Sequence, residues 1–260
     1  MKKQTLRLAL LQSELHWESV EDNLRLFSDQ IRRLPEVYLI VLPEMFSTGF
    51  SMSPEQLSEK NRIHALKWME NISKEKFCAL CGSLCVEDNG KYVNRFFGFQ
   101  KGLLDVRYDK RHLFSLAGEE KKYSAGSQQV YWEVLGWQLM PLICYDLRFP
   151  VWSRNDGSVD LYLYVANWPE KRIAAWDTLL RARAMENMAY VAGVNRVGMD
   201  GNGMAHNGSS QVLDVLGHSL GRCPDNQQHA LVVELSLETL ARNRKRFGFL
   251  HDRDRFTLQH

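Results

Sequence analysis

Val37-Tyr38-Leu39-Ile40-Val41-Leu42, followed at once by Pro43-Glu44, is the stretch on which the fold turns. A continuous apolar run of this length suits a strand buried on both faces, because a strand with one wet face would alternate apolar and polar residues. Just upstream, Leu24, Phe27, Ile31 and Leu34 fall at helical spacing across Asn23 to Arg33, and Pro35 ends that helix. Before it, residues 6 to 11 alternate in strand fashion. The opening therefore reads β-α-β.

The pattern continues downstream. Asn61 to Lys74 predicts a helix, Phe77 to Val86 a strand, and Tyr92 to Gln100 with Val106 to Tyr108 a hairpin around Gly102. Val130 to Val134, Gln138 to Cys144 and Leu161 to Val165 are strand candidates. Ala174 to Ala189 is a helix with Leu179, Ala182 and Met185 on one face, and Tyr190 to Asn195, Ser210 to Asp214 and His229 to Leu235 are later strands. Turn residues from Asn207 to Gly217 mark a late hairpin. The mixture implies an α/β layered fold. No Gly/Ser-rich or Pro-rich linker and no repeat of about 20 to 50 residues interrupts it, so residues 1–260 are expected to form a single domain.

Composition narrows the function classes. The chain has 260 residues, 45% of them hydrophobic, with a net charge of +2 from 33 basic and 31 acidic side chains. This is an ordinary globular balance that excludes a disulfide-stapled mini-fold and a disordered tail. Interspersed signs and a pI near 8.2 give no single-sign field, so neither nucleic acid nor an anionic membrane is implied as a partner. Met1-Lys2-Lys3 and the leucines after it could pass for a signal peptide, but Arg7 and Gln12-Ser13-Glu14 break any apolar core. The longest apolar stretches fall far short of the roughly 20 residues of a membrane span. Five cysteines, an odd number, argue for free thiols in a reducing cytoplasm.

Three segments carry residue types that could act together. Glu44 follows the apolar strand, where ligands collect in α/β sheets. Lys110 sits in Tyr108-Asp109-Lys110-Arg111-His112-Leu113-Phe114, a basic turn after a strand. Cys144 ends the strand of Leu139-Met140-Pro141-Leu142-Ile143-Cys144-Tyr145-Asp146-Leu147-Arg148-Phe149-Pro150, at a sharp turn placed like a nucleophile elbow. Taken singly, each reads as well as a solvated carboxylate, a surface lysine or an inert thiol. Together they make a reaction: a desolvated Glu44 accepts the thiol proton, and Lys110 with the Tyr145 N–H holds the oxyanion of a tetrahedral intermediate. A thioester then forms, ammonia or an amine leaves, and water completes hydrolysis.

In this order Glu44, Lys110 and Cys144 resemble the Glu-Lys-Cys triad of the carbon-nitrogen hydrolase (nitrilase) superfamily, and the match runs over nearly the whole chain. Leu42 to Phe50, Tyr108 to Phe114 and Cys144 to Pro150 look most like the omega-amidase branch, and Tyr164 to Pro169 with Arg181 to Asn187 are similar to the bacterial 2-oxoglutaramate amidases. The resemblance implies an α-β-β-α sandwich of two mixed sheets flanked by helices, usually a homodimer, and hydrolysis of a terminal amide with no metal and no organic cofactor. The implied small-molecule substrate is the omega-amide of a 2-oxo dicarboxylic acid, such as 2-oxoglutaramate or 2-oxosuccinamate. Arg148 is then the candidate partner of its distal carboxylate, against a plain salt bridge to Asp146. The family's second glutamate falls on Glu119 by its spacing to Tyr123 and Gly126, or on Glu120 after a one-residue loop shift. Phe50, Trp168 and Lys171-Arg172 would line the pocket, though Trp168 serves equally well as core.

Other readings stay open. His112 could pair with Cys144 as a thiolate-imidazolium couple, or the pocket could belong to a binding subunit without turnover. Nitriles, N-carbamoyl amides and deaminated glutathione suit the same triad. Cys78, Cys81 and Cys85 invite zinc, yet no second pair at ligand spacing follows, and they read as buried small hydrophobes. Arg242 to Arg246 is a basic run that could touch RNA or an acidic partner, and reads rather as a solvated helix face.

Overall fold

In the computed structural model, which describes residues 3–57 and 59–258, the chain opens with β1 (Thr5–Gln12), α1 (Val20–Arg32) and β2 (Leu39–Val41). Next come α2 (Glu59–Glu75), β3 (Ala79–Asp88), β4 (Lys91–Gln100) and β5 (Leu103–Asp109). The second half holds β6 (Trp132–Val134), β7 (Trp137–Ile143), β8 (Leu161–Ala166), α3 (Ile173–Asn187) and β9 (Tyr190–Asn195). A small hairpin, β10 (Val197–Met199) and β11 (Ala205–Asn207), precedes β12 (Gln211–Leu213), β13 (Ser219–Arg222), β14 (His229–Ser236) and α4 (Leu237–Phe247).

Two six-stranded mixed sheets result, ordered β14-β1-β2-β3-β4-β5 and β13-β12-β9-β8-β7-β6. The central strands β1, β2 and β3 are parallel, as are β7, β8 and β9. Side-chain parity then dictates the layers. Leu6, Leu8 and Leu10 of β1 and Leu39 and Val41 of β2 share one core with Leu139, Leu161 and Leu163 of the other sheet. The alternate residues Ala9, Leu11, Ile40 and Leu42 pack instead on Leu24, Phe27 and Ile31 of α1 and on Ala65 and Met69 of α2. β1 and β2 are thus apolar on both faces because one meets a sheet and the other meets helices, and each such leucine contributes about 1.5–3 kcal/mol by burial. Across the second sheet, Trp176 and Leu180 of α3 press on Gly193 of β9, where a Cβ would stand only 2.6 Å from Leu180. The architecture is the expected α-β-β-α sandwich.

The boundaries differ from the sequence expectation in instructive ways. The first helix starts at Val20 rather than Asn23, because Val20 is buried under the sheet and the Ser19 carbonyl accepts from Asn23 N. The Val37–Leu42 strand contracts to β2, although Leu42 N still donates to Cys81 O at 2.8 Å. Cys144 lies just outside β7. The hairpin around Gly102 forms, turning through Lys101 and Gly102 at φ 51° and 83°. The late hairpin also forms, between β12 and β13.

All five cysteines are free, with Cys78 and Cys81 buried and Cys85 half-buried. Among the described residues no His/Cys/Asp/Glu group could hold a metal ion, and no helix is long and apolar enough to cross a membrane. Met1 and Lys2, where the signal-peptide question begins, lie outside the described residues. The basic run of α4 is not wholly a solvated face. Arg244 turns inward and donates to Met188 O at 2.7 Å and to the Val159 carbonyl, beside Asp160.

Candidate active site

The site collects at strand ends. Cys144 directly follows β7, Asn167 follows β8, Lys110 follows β5, and Glu44 stands three residues beyond β2. Two turns there are strained: Cys144 has φ 45° and Met45, next to Glu44, has φ 43°, which for non-glycine residues costs on the order of 1–2 kcal/mol each. Buried hydrogen bonds hold them. Met45 N donates to Ser83 Oγ at 2.9 Å. At the cysteine turn, Ile143 N donates to Asp146 Oδ2 at 3.0 Å, and Asp146 also accepts from Tyr108 Oη, His112 N and His112 Nδ1. Arg183 of α3 donates to Leu147 O at 2.7 Å. The turn is therefore tied both to the lysine segment and to a helix.

Glu44 is fully buried, and each of its oxygens is met. Oε1 accepts from Asn94 Nδ2 at 2.8 Å and Lys110 Nζ at 3.1 Å, while Oε2 accepts from Asn167 N at 2.8 Å. Lys110, only 1% exposed, also donates to Glu119 Oε1 and Oε2 at 3.0 and 2.9 Å. Glu119 is buried and takes a further bond from Phe114 N at 2.6 Å, whereas Glu120 faces solvent.

Charge follows from this packing. Burial alone disfavours the Lys110 ammonium, but the carboxylates of Glu119 and Glu44 outweigh it and hold the lysine protonated well above its ordinary range. Burial, with Glu44 beside it, raises Glu119 even though Lys110 pulls it down. Burial first, then Glu44, push the Cys144 thiol well above the ordinary thiol range against the pull of Lys110. Cys144 is densely surrounded yet half-exposed to an open cavity, so at rest it is a reachable, protonated thiol.

That cavity, of about 310 Å³, is lined by Glu44, Lys110 and Cys144 together with Phe50, Tyr145, Arg148, Trp168 and Arg172. Phe50 lies 5.2 Å from Lys110 Nζ, and the Tyr145 ring packs on Phe114 and Phe149. The Tyr145 N–H belongs to the first turn of the short 3-10 segment Cys144–Arg148, where N–H groups have no acceptor inside the helix. Arg148 stacks over Trp168 at 5.0 Å and not on Asp146, whose oxygens are taken elsewhere. Arg172 lines the cavity, while Lys171 points to solvent. His112 stacks on Phe149 at 3.8 Å, binds Asp146 and lines a separate cleft with Trp152, so its geometry supports no pairing with Cys144.

Several contributors were not anticipated. Asn94 and Asn167 clamp Glu44, and a buried asparagine within an apolar strand was the available signal for the first. The hairpin β10–β11 brings Asp200, Met204 and His206 to the cavity, and only Gly198, Gly201 and Gly203 hinted at a turn there.

A sequence profile of the carbon-nitrogen hydrolase family matches residues 7–245. The chain belongs to that family. This carbon-nitrogen hydrolase is 46% identical to the omega-amidase YafV of Yersinia enterocolitica, over 98% of this chain and 99% of that protein. It is 31% identical to a 2-oxoglutaramate amidase of Bacillus subtilis, over 82% of this chain and 84% of that one. Among solved structures, XC1258 of Xanthomonas campestris, a CN-hydrolase superfamily protein with an arsenic adduct in its active site, superposes with a TM-score of 0.91 at 35% identity, covering 99% and 100% of the two chains. Membership, fold and the omega-amidase branch thus agree with the motifs from which they were expected.

Proposed function

We propose that this carbon-nitrogen hydrolase is an omega-amidase that releases ammonia from the terminal amide of 2-oxo dicarboxylic acid monoamides, 2-oxoglutaramate and 2-oxosuccinamate, through a thioester on Cys144. The observation that carries the reading is one reachable thiol beside a buried Glu44–Lys110–Glu119 array, in a cavity that also presents Arg148, which has no carboxylate partner among the described residues.

Glu44 takes the thiol proton as sulfur attacks the amide carbon; because the resting thiol is protonated, proton removal accompanies attack. The Lys110 ammonium and the Tyr145 N–H stabilise the oxyanion. The proton returns from Glu44 to the leaving nitrogen, the C–N bond breaks, and ammonia departs. Water, deprotonated by Glu44, attacks the thioester carbonyl, and the thiol leaves with that proton. Glu119 holds Lys110 in place and charged. Arg148 pairs with the distal carboxylate, with Phe50 and Trp168 as walls. The same reading takes residues 1–260 as one catalytic domain, working as a cytoplasmic homodimer on a small molecule, with no nucleic-acid partner.

The test is ammonia release by the purified enzyme from the two oxo-acid amides, set beside glutamine, a simple nitrile, an N-carbamoyl amide and deaminated glutathione. Turnover of the oxo-acid amides at least tenfold above the rest supports the assignment. Preference for any other member would replace the substrate, and silence on all of them would leave a binding subunit.

A further inference from the structure

Arg172 and Arg148 enter the same cavity from different segments. Arg148 closes the 3-10 turn after Cys144, and Arg172 ends a short 3-10 turn before α3. Each guanidinium lies 5.0 Å from an aromatic ring, Arg148 over Trp168 and Arg172 over Phe114. Trp168 serves both: its ring carries Arg148 and its indole Nε1 donates to Arg172 O at 2.8 Å. Trp168 is itself fixed, 3% exposed, with its backbone N–H on Asn195 Oδ1 at 2.7 Å and its ring against Trp176.

The carboxylates near this pair are engaged elsewhere. Glu44 and Glu119 are spent on Lys110, and one oxygen of Asp200 accepts from Asn202 N and Met204 N. Among the described residues neither Arg148 nor Arg172 has an ion-pair partner. Two guanidiniums held on rings in one cavity, neither of them ion-paired, repel each other, and a carboxylate bound between them relieves that repulsion. Burial weakens the hold of Arg172 on its proton, Cys144 strengthens it, and Arg148 weakens it again, which places Arg172 within electrostatic reach of both the nucleophile and its fellow arginine.

We propose that Arg172 is a specificity-determining residue, the second arm of a two-guanidinium subsite that takes the carboxylate distal to the scissile amide and rejects amides bearing an ammonium there, with Trp168 positioning both arms. The inference rests on the omega-amide reading above. It adds a reason why an amide of a 2-oxo acid would be accepted and the corresponding amino acid amide refused: an α-ammonium would stand against two positive charges, whereas an α-carbonyl oxygen accepts from either fork.

Binding is measured on the full-length Cys144→Ala protein, which cannot form the thioester. Calorimetry with glutaric acid monoamide, its neutral diamide and glutamine reads the subsite without turnover. The monoamide should bind about tenfold or more tightly than the other two, and adding Arg172→Gln should weaken the monoamide by about tenfold while moving the diamide less than about twofold. Arg172→Met, which keeps the apolar stem, should do the same. Unchanged monoamide affinity, an equal loss for monoamide and diamide in both variants, or no preference for the monoamide at the outset would each overturn the proposal. A charge preference that depends on Arg172, in an enzyme that releases no ammonia from oxo-acid amides, would sink the substrate assignment and leave the subsite standing.

Discussion

Asn167 grips Glu44 twice: its backbone N–H donates to Glu44 Oε2 at 2.8 Å and its side-chain Nδ2 donates to Glu44 O at 2.6 Å. The two residues follow strands of different sheets, β2 and β8, so this pair of bonds fixes the strand ends of one layer against those of the other. Replacing Asn167 by Asp keeps the shape and the backbone bond but sets a carboxylate oxygen against the Glu44 carbonyl and close to Oε2. The expected result is a fall in kcat of about 100-fold in a folded protein; a kcat within about twofold of wild type would show that the clamp has no bearing on turnover.

The two adjacent acids separate cleanly. Glu119→Gln removes one of the two charges that keep Lys110 protonated in a buried site, and breaking such a pair costs about 3–5 kcal/mol. Both melting temperature and kcat should drop. Glu120→Gln, at an exposed position, should stay within about 0.5 kcal/mol and retain activity. The reverse pattern would move the role to Glu120.

A thiol raised by burial behaves differently from a thiolate-imidazolium pair. Thiolate absorbance of wild type minus Cys144→Ala should remain flat through the ordinary thiol value of 9.0 and rise only above it. His112→Ala should leave that curve in place, because His112 binds Asp146 and stacks on Phe149. A signal already developed near neutral pH and abolished by His112→Ala would reinstate the couple.

His206, on the wall of the cavity, titrates with a consequence for stability. Burial first, then the Arg196 charge, bring it down to about 4, with Asp200 opposing, whereas an unfolded histidine titrates near 6.5. Between these values the unfolded chain binds more protons. The stability held above about pH 6.5 is therefore lost as pH falls through about 4, by on the order of 3 kcal/mol. Unfolding midpoints against pH should show that slope in wild type and a shallower one in His206→Asn; parallel slopes would assign the acid sensitivity elsewhere.

What could be read from the sequence follows the strength of the physical constraint. Leu39 to Leu42 announced a doubly covered strand because each face meets apolar partners, and Tyr190 to Asn195 kept its predicted limits for the same reason. Glu44, Lys110 and Cys144 were legible because each lies at or just beyond the end of a strand signal. The hairpin β10–β11 was not, since strands of three residues give no usable periodicity and its place over the cavity is set by distant contacts such as Val197 N to Ser13 O. In the sequence Arg244 reads as solvated because a basic run carries no mark of which member turns inward; the carbonyls of Met188 and Val159 decide that in three dimensions. The roles of Asn94 and Asn167 depend on the pairing of strands far apart in the chain.

Thioester formation on Cys144 is tested most directly by rapidly quenching wild type during turnover of 2-oxoglutaramate and weighing the intact protein and its proteolytic peptides, with Cys144→Ala treated alike. An adduct of substrate mass less ammonia on the peptide containing Cys144, with ammonia release abolished in Cys144→Ala, is the predicted result. Ammonia release that persists in Cys144→Ala would contradict it.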